Sequence, residues 1–315
     1  MSRARFQIVH AGPLVSFQDG GRPGHMRFGV SASGPMDRLS LSTANLALGN
    51  DSHATAVEVS MGGLVLKCLT GSVGAAVVGG QFQIAIDDRE IPGGSVLNIE
   101  AGQQISIRPG ASGSWCYLAI AGTVNVPQWL GHAATHALSG LGGGLLRTGD
   151  TFEVNDCHRI ADVREPIASA PLTSFGGHVR VVMGPQDQQF SSAARRDFLS
   201  CEFTLSNAYD RMGVRLEGPP LEIEGSLSIP SEPVLKGSVQ VAGDGNATVL
   251  LADHQTTGGY PKIATVIGAD LDEFAQLRPR QKIRFHAILP QDAVTLARVR
   301  EIELRSYFEA IKLAR

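Results

Sequence analysis

Nowhere in these 315 residues is there an uninterrupted apolar run long enough to cross a bilayer, and residues 1–13 hold two arginines but no apolar leader core. The expectation is a soluble, cytoplasmic chain with no membrane partner. Cysteine is scarce. Cys68, Cys116, Cys157 and Cys201 stand far apart and form no C-x-x-C pair, which argues against a disulfide framework or a thiolate metal site and predicts buried, reduced thiols. A strong field is missing too: the formal charge is only -3, and the 27 Lys and Arg residues form no basic run, so nucleic acid is not an expected partner. There is no G-x-x-x-x-G-K-[S/T] loop, no G-x-S-x-G elbow, no G-x-G-x-x-G after a strand and no H-E-x-x-H pair. Their absence removes the P-loop, hydrolase-triad, dinucleotide and zincin readings. His132 and His136 are four apart, but the surrounding glycines oppose a helix and no metal is expected.

What the chain does have is glycine. With 37 Gly and 16 Pro spread along its length, it must turn often, as a protein of many short strands does. Hydrophobic residues at 43% and charged residues at 18% are ordinary for a globular protein, and the length favours two domains. Alternating or continuous apolar runs predict strands at 6–9, 64–69, 74–78, 82–86, 95–99, 104–107 and 115–121. A helix is predicted at 36–48, entered from Ser33 as N-cap and stopped by Gly49-Asn50. Residues 156–174, with Pro166 and Pro171, read as a linker. Beyond it come a strand at 178–183, a helix at 187–199, strands at 238–241 and 247–252 and a short helix near 269–277. A last helix at 291–313 carries Val294, Leu296, Val299, Ile302, Leu304, Phe308 and Ile311 at helical spacing, to pack on the barrel or on a partner. The expected fold is mainly β, in two β-rich subdomains at 1–165 and 175–315, with a few short helices and a C-terminal helix.

The strongest constellation is Asp253-His254-Gln255-Thr256-Thr257-Gly258-Gly259-Tyr260-Pro261-Lys262. A buried strand delivers these polar groups to its end, and Gly258-Gly259 lets backbone approach a ligand. Hydroxyls, an amide and the Lys262 ammonium suit a carboxylate or an oxyanion, and Asp253 or His254 can move a proton. A plain β-turn whose Thr and Asp satisfy their own backbone fits the same residues. A second constellation runs from Gln18-Asp19-Gly20-Gly21-Arg22-Pro23-Gly24 to Ser33-Gly34-Pro35-Met36-Asp37-Arg38. Asp37 at a helix N-terminus with Arg22 and Arg38 nearby reads either as an anion site or as an internal Asp–Arg network. A third, Asp210-Arg211-Met212-Gly213, leaves the same choice, with Arg211 binding ligand or pairing with Asp210. The glycine-rich stretch 140–144 lacks the Walker lysine.

These phrases, together with Gly29-Val30, Ala44-Asn45-Leu46, Gly49-Asn50, Ala269-Asp270-Leu271 and Gln276-Leu277-Arg278-Pro279, resemble the family of the 5-oxoprolinase C subunit. It is also known as KipA or allophanate hydrolase subunit 2, and is similar to subdomains A and B of the biotin-dependent carboxyltransferases. The likeness runs from about Phe6 to Phe285, with Gly20 and Arg280 as departures. It implies a second subdomain like the cyclophilin β-barrel, and an ATP-dependent amidohydrolase active only with its B (KipI-like) and A subunits. ATP would be bound in the assembly, in a component the sequence does not identify. Lys262, Asp253 and Asp37 would be catalytic, and Gln255, Thr256, Thr257, Gly258, Gly259, Tyr260, Arg22, Arg38 and Arg211 would bind a small-molecule substrate. No biotin acceptor sequence is present, so no covalently attached biotin is expected. Two other readings stay open on this resemblance: a urea or amide carboxylase subunit, and a KipA-like regulator that antagonises a kinase inhibitor.

Overall fold

The computed structural model describes residues 2–161, 166–167, 176–225 and 229–314. Most of the linker expected at 156–174 lies outside the described residues, at 162–165 and 168–174. The chain divides into two compact units, one of Met1–Arg22, Ser33–Pro171 and Leu304–Arg315, the other of Pro23–Ala32 and Leu172–Glu303.

In the first unit, period-two alternation builds two antiparallel sheets around one core. Seven strands run in the order Thr123–Asn125, Thr151–Asn155, Arg3–Ala11, Leu64–Thr70, Gln104–Arg108, Gln83–Ile86 and Arg89–Ile91. Phe6, Ile8, Leu64, Leu66, Ile84, Ile105 and Ile107 turn inward from it. Five strands form the other sheet: Ser16–Gln18, Ala56–Ser60, Trp115–Ile120, Ser72–Val78 and Val96–Glu100. Trp115–Ile120 is buried at every position, because the helix Arg38–Leu48 packs on it and on Ser72–Val78. That double burial is why this strand reads as an unbroken apolar run.

The helix starts later than its periodicity suggests, and with a different cap. Ser33 and Gly34 both have positive φ, 51° and 83°, so the chain cannot enter the helix from Ser33. Asp37 caps it instead, accepting from Ser40 N at 3.0 Å and Ser40 Oγ at 2.6 Å. Asn45 and Asn50 tie the other end: Asn50 Nδ2 donates to Asn45 Oδ1 at 3.0 Å and to the Ile120 carbonyl at 2.9 Å.

The second unit is a closed barrel in the order His178–Met183, Lys262–Val266, Ser238–Val241, Ala247–Leu250, Gly213–Glu217, Phe203–Tyr209 and Lys282–Ala287. The last strand returns to the first in parallel, His178 opposite Arg284 and Val181 opposite Ala287. Val179, Val181, Leu205, Val214, Leu216, Val239, Val241, Val249, Ile283 and Phe285 are buried at alternating positions, which leaves Arg215, Gln240, Thr248 and Leu250 on the opposite face. The helix expected at 187–199 is broken in two: a 3-10 turn at Asp187–Gln189 and an α-helix at Ser192–Ser200, restarted by the Ser191 cap on Ala194 N. Its Phe198 stacks on Phe285 with ring centroids 4.4 Å apart, and Phe203 completes the cluster.

The C-terminal helix spans Pro290–Leu313. Of its expected apolar stripe only Ile311 is buried, against Leu46 and Ala47, while Val294, Val299 and Ile302 remain exposed. No helix among the described residues is long and apolar enough to cross a membrane. Replacing a stacked core aromatic leaves a cavity, so Phe285→Ala is expected to cost about 3–5 kcal/mol. Urea unfolding would register this as a lower midpoint at an unchanged slope.

Candidate functional site

The constellation at 253–262 sits where the strand Ala247–Leu250 ends. Residues Thr257–Gly258 pair with Glu232–Pro233 in a two-residue antiparallel ribbon, Glu232 opposite Gly258. The Thr256 carbonyl accepts from Val234 N at 3.1 Å and the Gly259 carbonyl from Ile229 N at 2.9 Å. Thr257 and Tyr260 are exposed, and Gln255, Thr256 and Gly259 half-buried. The loop Pro23–Ala32 reaches the same corner, Ser31 Oγ donating to the Ala252 carbonyl at 3.5 Å.

Beneath the ribbon the charges are committed to one another. Arg211 and Asp253, each 1% exposed, form a bidentate pair with Nε–Oδ2 and Nη2–Oδ1 both 3.0 Å, and Asp253 N donates to the Arg211 carbonyl at 2.8 Å. Of the two partners the sequence offered Arg211, a ligand or Asp210, the structure takes neither and gives it Asp253. Arg211 pairs with Asp253, while Asp210 turns the hairpin by accepting from Met212 N and Gly213 N at 2.7 and 3.2 Å. A carboxylate with both oxygens forked by a buried guanidinium is committed to that pair.

Lys262 opens the strand Lys262–Val266 with a side chain 4% exposed, its Nζ donating to Glu232, whose own side chain is 38% exposed. Gln186 donates to the same carboxylate and accepts from Lys262 N at 3.1 Å. The Lys262 hydrogen bond, aided by Gln186, holds the Glu232 carboxyl below the usual carboxylate range despite its partial desolvation. His254 is buried with Nδ1 2.6 Å from the Gln255 carbonyl. Burial pushes its pKa down, with the Lys236 charge assisting and the carbonyl contact and Asp253 opposing, so the ring is neutral at physiological pH.

Gln255 and Tyr260 reach a cavity of about 410 Å³ on the barrel face, walled by Ala208, Met212, Ala242 and Leu250 and edged by Arg215. Gln240, also in its wall, accepts from Gln255 Nε2 at 2.9 Å. Gln240, Glu232 and Gln186 were not anticipated. Only Gln240 left a trace in the sequence, as a polar residue between Val239 and Val241 in an otherwise apolar strand.

In the first unit the second constellation resolves into support. Asp37 is the helix cap already described, and its backbone N–H donates to Tyr117 Oη at 2.9 Å. Tyr117 donates in turn to the fully buried Glu58 at 2.7 Å. Burial, then the Glu58 charge, push the tyrosine pKa far up. Arg22 is buried, stacked 4.6 Å from the Trp129 ring centroid, and donates to the Ala134 carbonyl. Asp19 accepts from Gly21 N at 2.9 Å and Ala133 N at 2.7 Å. Arg38 is exposed at the first helical position. Asp37, expected to be catalytic, is engaged as the helix cap.

Nucleotide phosphates find no cradle in the glycine-rich stretch. Gly140 N donates to the His136 carbonyl at 2.9 Å, Gly143 N to the Ala133 carbonyl at 2.7 Å and Gly144 N to Thr135 Oγ1 at 2.9 Å, so these N–H groups are spent internally. The residues at this loop do not fit ATP.

Residues 28–287 match the carboxyltransferase domain family, subdomain A and B. The chain is 35% identical over 300 residues to the C subunit of 5-oxoprolinase from Haemophilus influenzae, covering 94% of this chain and 96% of that one. The protein of the same name from Escherichia coli is 34% identical over 308 residues, covering 97% of each. The crystal structure of the K. lactis urea amidolyase superposes with a TM-score of 0.86 at 26% identity, over 98% of this chain but only 20% of that much longer one.

Two measurements test the site's interior. Removing one partner of the Arg211–Asp253 pair strands the other charge, so Asp253→Leu is expected to cost about 3–5 kcal/mol, whereas Arg211→Met with Asp253→Leu together recovers most of that loss. A double mutant no more stable than the single would contradict the assignment. For His254, whose folded pKa lies below the unfolded value of about 6.5, the unfolded chain takes up its proton first as pH falls. Its contribution is full above about pH 6.5 and declines below it, until the folded-state pKa is passed. Melting temperatures measured from pH 8 to 5 are expected to fall less steeply below pH 6.5 in His254→Gln than in the parent.

Proposed function

This chain belongs to the carboxyltransferase domain family, subdomain A and B, and we propose that it works as the C subunit of an ATP-dependent 5-oxoprolinase in the cytoplasm. In that assembly, with the A and B subunits, the lactam of 5-oxoproline is opened to glutamate. The observation that carries the reading is end-to-end correspondence: the relatives named as the 5-oxoprolinase C subunit are matched over 96% and 97% of their own lengths. A urea amidolyase is matched over only a fifth of its length, so it supports the first reading less than those relatives do.

Lactam opening needs the carbonyl bound and polarised while a neighbouring group is held away from bulk water. Gln255 and Tyr260 at the cavity, with the Thr256 and Thr257 hydroxyls on the adjoining ribbon, are the groups of this chain proposed to contact substrate. Arg211, Asp253, Lys262 and Glu232 act behind them by fixing the ribbon. Nucleotide binding is assigned to another component of the assembly, because the glycine-rich loop here spends its donors on neighbouring carbonyls and the Thr135 hydroxyl.

A second reading, a carboxyltransferase half of a urea or amide carboxylase, is favoured by the fold shared with the urea amidolyase. It differs in needing bicarbonate and biotin carried by a partner. Reconstitution separates the two. The purified chain alone is expected to be inactive, and with the A and B subunits to release glutamate from 5-oxoproline only when ATP is added. Turnover that instead requires bicarbonate and a biotinylated partner would transfer the assignment to the second reading.

A further inference from the structure

Among the described residues, one polar group in the wall of the barrel-face cavity lacks a partner. Gln240 is 5% exposed, and its Nε2 is buried without an acceptor, although its Oε1 is engaged by Gln255. An amide donor left unsatisfied in this way is destabilising until an acceptor arrives; Ala208, Ala242 and Leu250 contribute apolar wall to the cavity, while Asp210, Thr248 and Tyr260 line it with polar groups, none of them bonded to this donor. Gly258 lies over it, where a Cβ would stand 2.6 Å from the Nε2. Any larger residue would push the amide aside, so the glycine preserves its placement.

The same cavity carries an anion-binding group. Arg215 lines it with a side chain 47% exposed and donates to Asp244, a partner equally exposed on the neighbouring turn. An ion pair this open is weak and exchangeable. The cavity thus combines a carbonyl-seeking amide, a guanidinium at the rim and apolar walls from Met212 and Leu250, in a volume suited to a small molecule.

Resting on the function proposed above, we infer that this cavity receives the substrate itself, a compact lactam or amide bearing a carboxylate. The ligand carbonyl oxygen takes the Gln240 donor, and its carboxylate takes Arg215 in place of Asp244. The oxygen reaches Gln240 when Gly258 moves off its amide, the base of the ribbon staying fixed by Lys262 and Glu232.

The test is a titration of the full chain with 5-oxoproline, proline and 2-pyrrolidinone, following glutamine side-chain amide signals by NMR. Saturable shifts of the Gln240 and Gln255 signals are expected with 5-oxoproline. Binding is expected to be at least about tenfold weaker for proline, which lacks the lactam carbonyl, and for 2-pyrrolidinone, which lacks the carboxylate. Gln240→Leu and, independently at the rim, Arg215→Ala should each weaken 5-oxoproline by about tenfold, with melting curves confirming the fold. Absent shifts, equal binding of all three compounds or wild-type affinity in both variants would overturn the inference. The assembled enzyme keeps the two readings apart. Turnover of 5-oxoproline with unchanged KM in both variants removes the cavity's role and leaves the function standing. An assembly that never turns it over removes the function, while the titration still decides the cavity.

Discussion

The second unit's candidate site depends on one buried fork, the Arg211–Asp253 pair. Desolvating a guanidinium and a carboxylate is costly, and the cost is offset only when geometry is good and the remaining donors are satisfied. Here two 3.0 Å contacts and the Asp253 N–H to Arg211 carbonyl bond join the hairpin at 210–213 to the end of the strand Ala247–Leu250. From that anchor the chain runs directly into Gln255 and the ribbon. A hydrophobic pair of similar volume would bury as well, but would not fix the direction in which the following residues leave the strand. The Lys262–Glu232 pair does the same on the ribbon's other side, with Gln186 as a third point.

Much of the architecture was legible because alternation survives wherever a strand has one wet face. The strands at 64–70, 72–78, 96–100, 104–108, 178–183 and 238–241 fall where the pattern put them. Ala56–Ser60 escaped notice because Glu58, fully buried, interrupts the apolar pattern for the sake of Tyr117 and the Met36 N–H. Gly213–Glu217 and Thr151–Asn155 are short, and charged residues hide their alternation. Helix boundaries failed for a local reason: Ser33 is a good cap by residue type, but its left-handed backbone belongs to a turn. The site was half legible. Gln255 and Tyr260 do reach a cavity, whereas Asp253, Arg211 and Lys262 are charged residues whose partners lie 42, 42 and 30 positions away, a separation no local pattern records.

The phrases that made the family recognisable serve the scaffold more than the chemistry. Asp19 braces a loop, Asp37 caps a helix, and Asn45 and Asn50 knot that helix to the Ile120 carbonyl. Such residues are specified by backbone groups that only one side-chain shape can satisfy. Recognition through them speaks for the fold. The residues proposed to meet the ligand, Gln240 and Arg215, stand elsewhere, on strand faces of the barrel, where they leave little signature.

The barrel's first and last strands, His178–Met183 and Lys282–Ala287, lie side by side. During synthesis the opening strand therefore waits with both edges unpaired, because its two neighbours, Lys262–Val266 and Lys282–Ala287, emerge only about eighty and about a hundred residues later, and unpaired edges invite pairing with other chains. Efficient production of this unit consequently depends on keeping those edges protected until the ribosome has delivered the two closing strands.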